Sequence, residues 1–233
     1  MPNPGTAYVQ AFLIVITLLL LTGGIATAEP FDDDGDDGDT SSKPPAVGQK
    51  RHDGFFLRLS FGPGWSRATA DPELPNQPKL TLTGIHTAGD VAIGGALVED
   101  VVLHATYAWA RAREPTLEAG GQEIASIGER FLFNCLGLGT TLYLPLNIYL
   151  SGSFGWGMID IATNEPVEYT VYNLGTSFVL QAGKEWWLTD QWGVGVAGRF
   201  LGGRITDSTG NGPQDQVRWV YQHVSVVLSA TYN

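Results

Sequence analysis

Residues 178–200, FVLQAGKEWWLTDQWGVGVAGRF, alternate between large apolar side chains and small or polar ones. Phe178, Leu180, Ala182, Trp186, Trp192, Val194, Val196 and Phe200 share one parity. Gln181, Gly183, Glu185, Gly193, Gly195, Ala197 and Arg199 share the other. A period of two is that of a β-strand, whose successive side chains point to opposite faces. The polar stretch Leu188-Thr189-Asp190-Gln191 separates two such runs and predicts a hairpin. The pattern recurs at residues 54–65, where Phe55, Leu57, Leu59 and Phe61 alternate with Arg58, Ser60, Gly62 and Gly64. Further strands are predicted at residues 81–97, 101–112, 129–144, 148–160 and 217–232, which makes eight in all.

The two faces are distributed in the reverse of a soluble sheet. A soluble sheet turns its large apolar face to the core, but here the opposite face is glycine, hydroxyl and charge. Large apolar residues suit lipid, and glycine suits the crowded inside of a narrow barrel. The pattern predicts an all-β fold, an eight-stranded antiparallel up-and-down transmembrane β-barrel. Each predicted strand reaches the roughly 9–11 residues that a tilted strand needs to cross a bilayer. Two outward positions break the stripe. Lys184 lies near a turn, where its amine can snorkel to the interface. Asn134 sits mid-strand on the lipid face and predicts a bulge or a shifted register.

The connections carry independent weight. Those around Val98-Glu99-Asp100, Pro145-Leu146-Asn147 and Thr189-Asp190-Gln191 are short, while residues 66–80, 113–128, 162–173 and 206–216 are long and polar. Short and long alternate strictly, as expected of periplasmic turns and extracellular loops, and an even strand number puts both barrel ends on the turn side. Aromatic residues fall at strand ends. Tyr107, Trp109 and Trp156 lie toward the loops, and Phe55, Trp186, Trp192 and Tyr232 toward the turns, as two interfacial girdles.

The N-terminus sets the location. The apolar run AFLIVITLLLL at residues 11–21 is too short for a spanning helix. With Ala26-Thr27-Ala28 behind it, it fits a signal peptide over residues 1–28, although no Lys or Arg precedes it. Residues 29–53 follow as an acidic periplasmic leader, expected to be disordered, and residues 54–233 are the barrel. The leader's DDDGDDGD misses the EF-hand spacing, with Asp37 and Lys43 where Gly and Glu belong. It also holds much of the net charge of -11, and no basic cluster suggests nucleic acid. The single cysteine, Cys135, excludes an intrachain disulfide and takes the inward parity.

The segment GKEWWLTDQWGVGVAGRF resembles the recurrent hairpin of small OmpA/OmpX-type outer-membrane barrels. The matching features are Gly183, Glu185 and Trp186, the turn Leu188-Thr189-Asp190, and the closing Arg199-Phe200. FNCLGLGTTLYLPLN is similar in its Gly-x-Gly run. The resemblance implies the outer membrane of a Gram-negative bacterium, with both termini periplasmic. It implies outer-membrane lipid and the barrel assembly machinery as partners, and no cofactor. One departure is Asn233 after Tyr232, where such barrels end on an aromatic residue. The last predicted strand reaches the end of the sequence, so the peptidoglycan-binding role of larger members is not expected. A monomer is.

Parity also predicts the interior. Arg58, His86, Asp90, His104, Glu185, Arg199 and His223 face inward, with Tyr143, Tyr149, Gln181, Ser225 and Thr231. Buried charges must be paired. Arg58 and Asp90, on neighbouring strands at similar counted height, are the expected pair, and Glu185 and Arg199 are expected to join through tyrosines or water. The cluster Arg58, Asp90, His104, Glu185 and Arg199 reads as a structural plug, with a narrow gated ion or small-solute pore as the alternative. A further alternative is a lipid A-modifying enzyme. Some barrels of this size deacylate lipid A with a His-x-Ser pair, and His223-Val224-Ser225 matches two residues of it, with Val226 where that family has asparagine. No enzyme activity is expected. His86 and His104 fall on adjacent strands but lack a third metal ligand. Any surface-interaction role belongs to the loops, where an extracellular partner would bind.

Overall fold

The computed structural model describes residues 54–72, 78–126, 130–162, 169–207 and 217–233. The chain divides into two units, Met1–Lys50 and Arg51–Asn233, and every described residue belongs to the second. The expected signal peptide and acidic leader lie outside the described residues.

The alternating runs form strands β1 (Phe55–Pro72), β2 (Leu80–Val98), β3 (Val101–Arg113), β4 (Thr116–Ala119), β5 (Gln122–Ser126), β6 (Arg130–Leu144), β7 (Ile148–Ala162), β8 (Tyr169–Trp187), β9 (Trp192–Asp207) and β10 (Val217–Tyr232). Eight of them close into one sheet in the order β1-β10-β9-β8-β7-β6-β3-β2, with β2 pairing back to β1. Every neighbour is antiparallel. The result is a closed, eight-stranded, up-and-down barrel.

The short connections and both strand termini share one end, here called the turn end. Left-handed backbone occurs in two of them, at Asp100 with φ 64° and at Leu146 and Asn147 with φ 68° and 57°. In the third turn the Thr189 hydroxyl accepts from the backbone N–H of Gln191 at 3.3 Å and of Trp192 at 3.0 Å. This is a side-chain substitute for a backbone turn bond.

At the other end several strands outrun the predicted boundaries, β1 continuing to Pro72 and β9 to Asp207. The segment read as a polar loop at residues 113–128 contains a hairpin instead. β4 pairs with the first residues of β2, Leu80 to Thr83, and β5 pairs with β4. Gly120 and Gly121, at φ 59° and 85°, join them, and paired positive φ is what a tight hairpin turn demands.

Outward side chains form an apolar wall, with Leu138, Leu228 and Phe154 about two-thirds or more exposed (70, 67 and 66%). Asn134 does not mark a bulge. The ladders run through it in register, Trp109 to Asn134 to Met158, and the irregularities lie at Ala96/Val98 and Gly157/Ile159. Its amide oxygen is satisfied on the outer wall, where the Tyr107 hydroxyl donates to Asn134 Oδ1 at 2.7 Å.

Candidate functional site

The interior is filled by side chains, and glycines make the room. A Cβ on Gly183 would stand 2.9 Å from the Tyr149 ring, and one on Gly157 would stand 2.5 Å from the Tyr221 hydroxyl. All twelve residues assigned inward by parity are buried.

The half of the interior toward the turn end carries the charged and hydrogen-bonding groups, set around a smaller apolar cluster of Phe56, Ala92, Val102, Ala197 and Val227 with Tyr143 and Tyr149. Glu185 accepts from the Thr231 hydroxyl at 2.6 Å and the Tyr143 hydroxyl at 3.2 Å. Arg58 donates to Ser151 at 3.0 Å, and its guanidinium lies 4.9 Å from the centre of the Tyr149 ring. His104 is held through both nitrogens, by Thr106 at 2.8 Å and Thr141 at 3.0 Å. Gln181 donates to the Tyr149 hydroxyl at 2.8 Å.

The expected Arg58–Asp90 pair is corrected. Asp90 Oδ1 lies 3.3 Å from Arg199 Nη1, and Oδ2 accepts from Ser60 at 3.2 Å. The register explains the change. Ser60 stands beside Asp90 and Ala92 beside Arg58, so Arg58 is one inward step too far toward the turn end. Arg199 on β9 reaches Asp90 from across the lumen. The contact is one of charge more than of hydrogen bonding, since neither Oδ1 nor Nη1 has hydrogen-bond geometry.

Toward the loop end the interior turns apolar. Phe131, Phe133, Ile159, Leu201, Ile205 and Tyr221 are buried there in one cluster, with Trp219 almost as deep. Phe133 and Tyr221 lie with ring centres 3.8 Å apart. This layer was not read from the sequence, although the inward parity of Phe131, Phe133, Ile205 and Tyr221 carries it.

His86 and His223 meet between the two layers, edge to face at 5.1 Å. His86 and His104 do not meet, because β2 and β3 pair His86 with Ala112 and His104 with Gly94. Among the described residues no three His, Cys, Asp or Glu groups gather as metal ligands. The within-strand pair His223–Ser225 is not formed either. Ser225 Oγ lies 3.3 Å from His86 Nε2, and neither nitrogen of His223 has a hydrogen-bond partner. Cys135 is buried, with the Ser177 hydroxyl on its sulfur.

The aromatic residues picked as girdles all point outward. Phe55, Tyr232 and Trp192 form a run across β1, β10 and β9, with ring centres 6.1 and 5.2 Å apart, and Trp186 continues it on β8 with the Lys184 amine 5.8 Å from its ring. Trp156 is exposed, while Trp109 lies flat over Gly89 and 5.8 Å from Phe61.

The fold is that of the small eight-stranded barrels the sequence resembles. No protein family and no curated protein matches the chain. Among solved structures, Neisserial surface protein A is similar at 9% identity and a TM-score of 0.47, covering 76% of this chain and 96% of that one. The outer membrane protein AlkL is similar at 15% identity and 0.48, covering 81% and 93%. OprG from Pseudomonas aeruginosa is similar at 8% and 0.44, covering 78% and 98%. At these values the likenesses add nothing to what strand pairing and closure already establish.

Proposed function

We infer that the protein is an outer-membrane barrel whose interior is a structural plug and whose loop end supplies its contacts with the outside. The observation that carries this reading is the two-layered interior. A charged, hydrogen-bonded network in the turn half fixes the strands relative to one another, and an apolar layer around Phe133 and Tyr221 seals the loop half. An ion crossing the barrel would have to leave water to pass that layer, at a large desolvation cost. The apolar wall supports burial in lipid, and the short turns support an orientation with both termini periplasmic after export through a cleaved signal peptide. The assembly machinery is then a partner during biogenesis, and the mature barrel is a monomer.

Two measurements test the reading. The unboiled purified protein should run faster in a detergent gel than the boiled one and should fractionate with outer membranes. In planar bilayers it should give no conductance steps above background. A soluble distribution would overturn the location, and regular steps would overturn the plug.

A further inference from the structure

On the loop side of β2, β3 and β6 the outer wall stops being apolar. Nearer the turns the outward positions of these strands include Val91, Leu103, Leu136 and Leu138. Then come Thr87 on β2, Arg111 on β3 and Asn134 on β6, three polar side chains on adjacent strands. Polar groups on a lipid face are costly, and charged ones more so toward the midplane. These are not scattered. Thr87 and Leu132 are the register neighbours of Arg111, and Trp109 is that of Asn134. With Ile85 they line one hollow of about 820 Å³, and Tyr107 also borders it. Apolar and aromatic walls around a few convergent polar groups are the make-up of a small-molecule site.

What the polar groups offer is donors. The Tyr107 hydroxyl occupies Asn134 Oδ1, so the amide N–H groups are what Asn134 has left to give. A guanidinium carries five N–H donors and no acceptor, and the buried Nε of Arg111 has no hydrogen-bond partner among the described residues. Neither register neighbour of Arg111 is a carboxylate. In a chain of net charge -11 a cation left without an acid beside it is a matter of placement, not of composition. A planar carboxylate meets a guanidinium through two parallel hydrogen bonds. One cation calls for one negative charge, and the walls of Ile85, Leu132 and Trp109 call for an aliphatic chain.

We propose that this hollow binds a single-chain carboxylate amphiphile from the loop-side half of the bilayer. Its carboxylate lies on Arg111, within reach of the Asn134 amide, and its chain lies against Ile85, Leu132 and Trp109. The inference rests on the reading of the chain as a membrane barrel. A lipid with several phosphates would need more cations than Arg111 alone.

Native mass spectrometry of the full chain, refolded in a non-ionic detergent, tests the site. Palmitate should add as a single adduct. Hexadecanol, which has the chain without the carboxylate, should bind about ten-fold more weakly or less, a charge-assisted contact being worth at least that factor. Arg111→Gln should weaken the palmitate adduct by a similar factor and leave that of hexadecanol unchanged. Thr87→Phe, which fills the hollow from a lipid-facing position, should weaken both, while Lys184→Ala at the turn end should alter neither. Equal binding of palmitate and hexadecanol would overturn the proposal. So would a palmitate adduct indifferent to Arg111→Gln, or phosphatidylglycerol or diphosphoryl lipid A bound as tightly as palmitate. The gel shift on heating, run on each variant, separates the two readings: its loss is failure of the barrel, and its retention without a palmitate adduct is failure of the site alone.

Discussion

Asp90 is the carboxylate on which the buried Arg199 guanidinium depends, and none of the three guanidinium nitrogens of Arg199 makes a hydrogen bond. Removing one member of a buried ion pair leaves the other uncompensated, at a cost of about 3–5 kcal/mol. Asp90→Ala should therefore lower the unfolding free energy from urea titration in detergent by that much, and Asp90→Leu/Arg199→Met should recover most of it. If the single and double variants unfolded alike, the pair would not be coupled. On the outer wall, Tyr107→Phe removes the donor to Asn134 and should cost about 1–3 kcal/mol. Asn134→Leu added to it should restore the loss, because apolar groups at both positions leave nothing unsatisfied. Parity alone told which of these side chains face in and which face out. It did not tell which atoms meet, because Asp90 and Arg199 lie on strands that share no edge.

At the scale of elements, β4 and β5 depend on the barrel more than it depends on them. β4 touches β2 only from Leu80 to Thr83. Replacing residues 116–126 by a short Gly-Ser link should keep the heat-dependent gel shift and cost about 1–2 kcal/mol, mainly through the loss of Leu117, which packs on the apolar cluster. Loss of the shift would mean that the hairpin is part of the folding unit. The glycines inside β7 and β9 are less replaceable. A Cβ on Gly203 would overlap the Tyr221 hydroxyl, so Gly203→Val should destabilise by about 1–3 kcal/mol through overpacking. Tyr221→Phe should relieve part of that loss in the same urea titration. The hairpin was legible in outline, since Gly120-Gly121 separates two alternating stretches. Strands of four and five residues leave too little periodicity to stand out from a loop.

At the scale of the molecule, closure makes one face of every strand an inside. A barrel of about eight strands has just enough room for side chains, so whether it conducts depends on which side chains fill it. Phe133 and Tyr221 are the tightest pair of the sealing layer. Phe133→Ala/Tyr221→Ala should create conductance steps in planar bilayers, where the parent protein is expected to give none. A silent double variant with an intact heat-dependent gel shift would place the seal elsewhere.

The number of barrel strands, the alternation of short and long connections and the inside-outside assignment were determined by the sequence alone. They follow from two local rules, a side-chain period of two and the opposite solvents on a strand's two faces. Asn134 looked like a defect under those rules because its partner Tyr107 lies on another strand. The Asp90–Arg199 contact and the apolar seal were decided only by the tertiary structure. Each depends on the stagger between strands, which sets the height at which distant residues meet and which no single strand encodes.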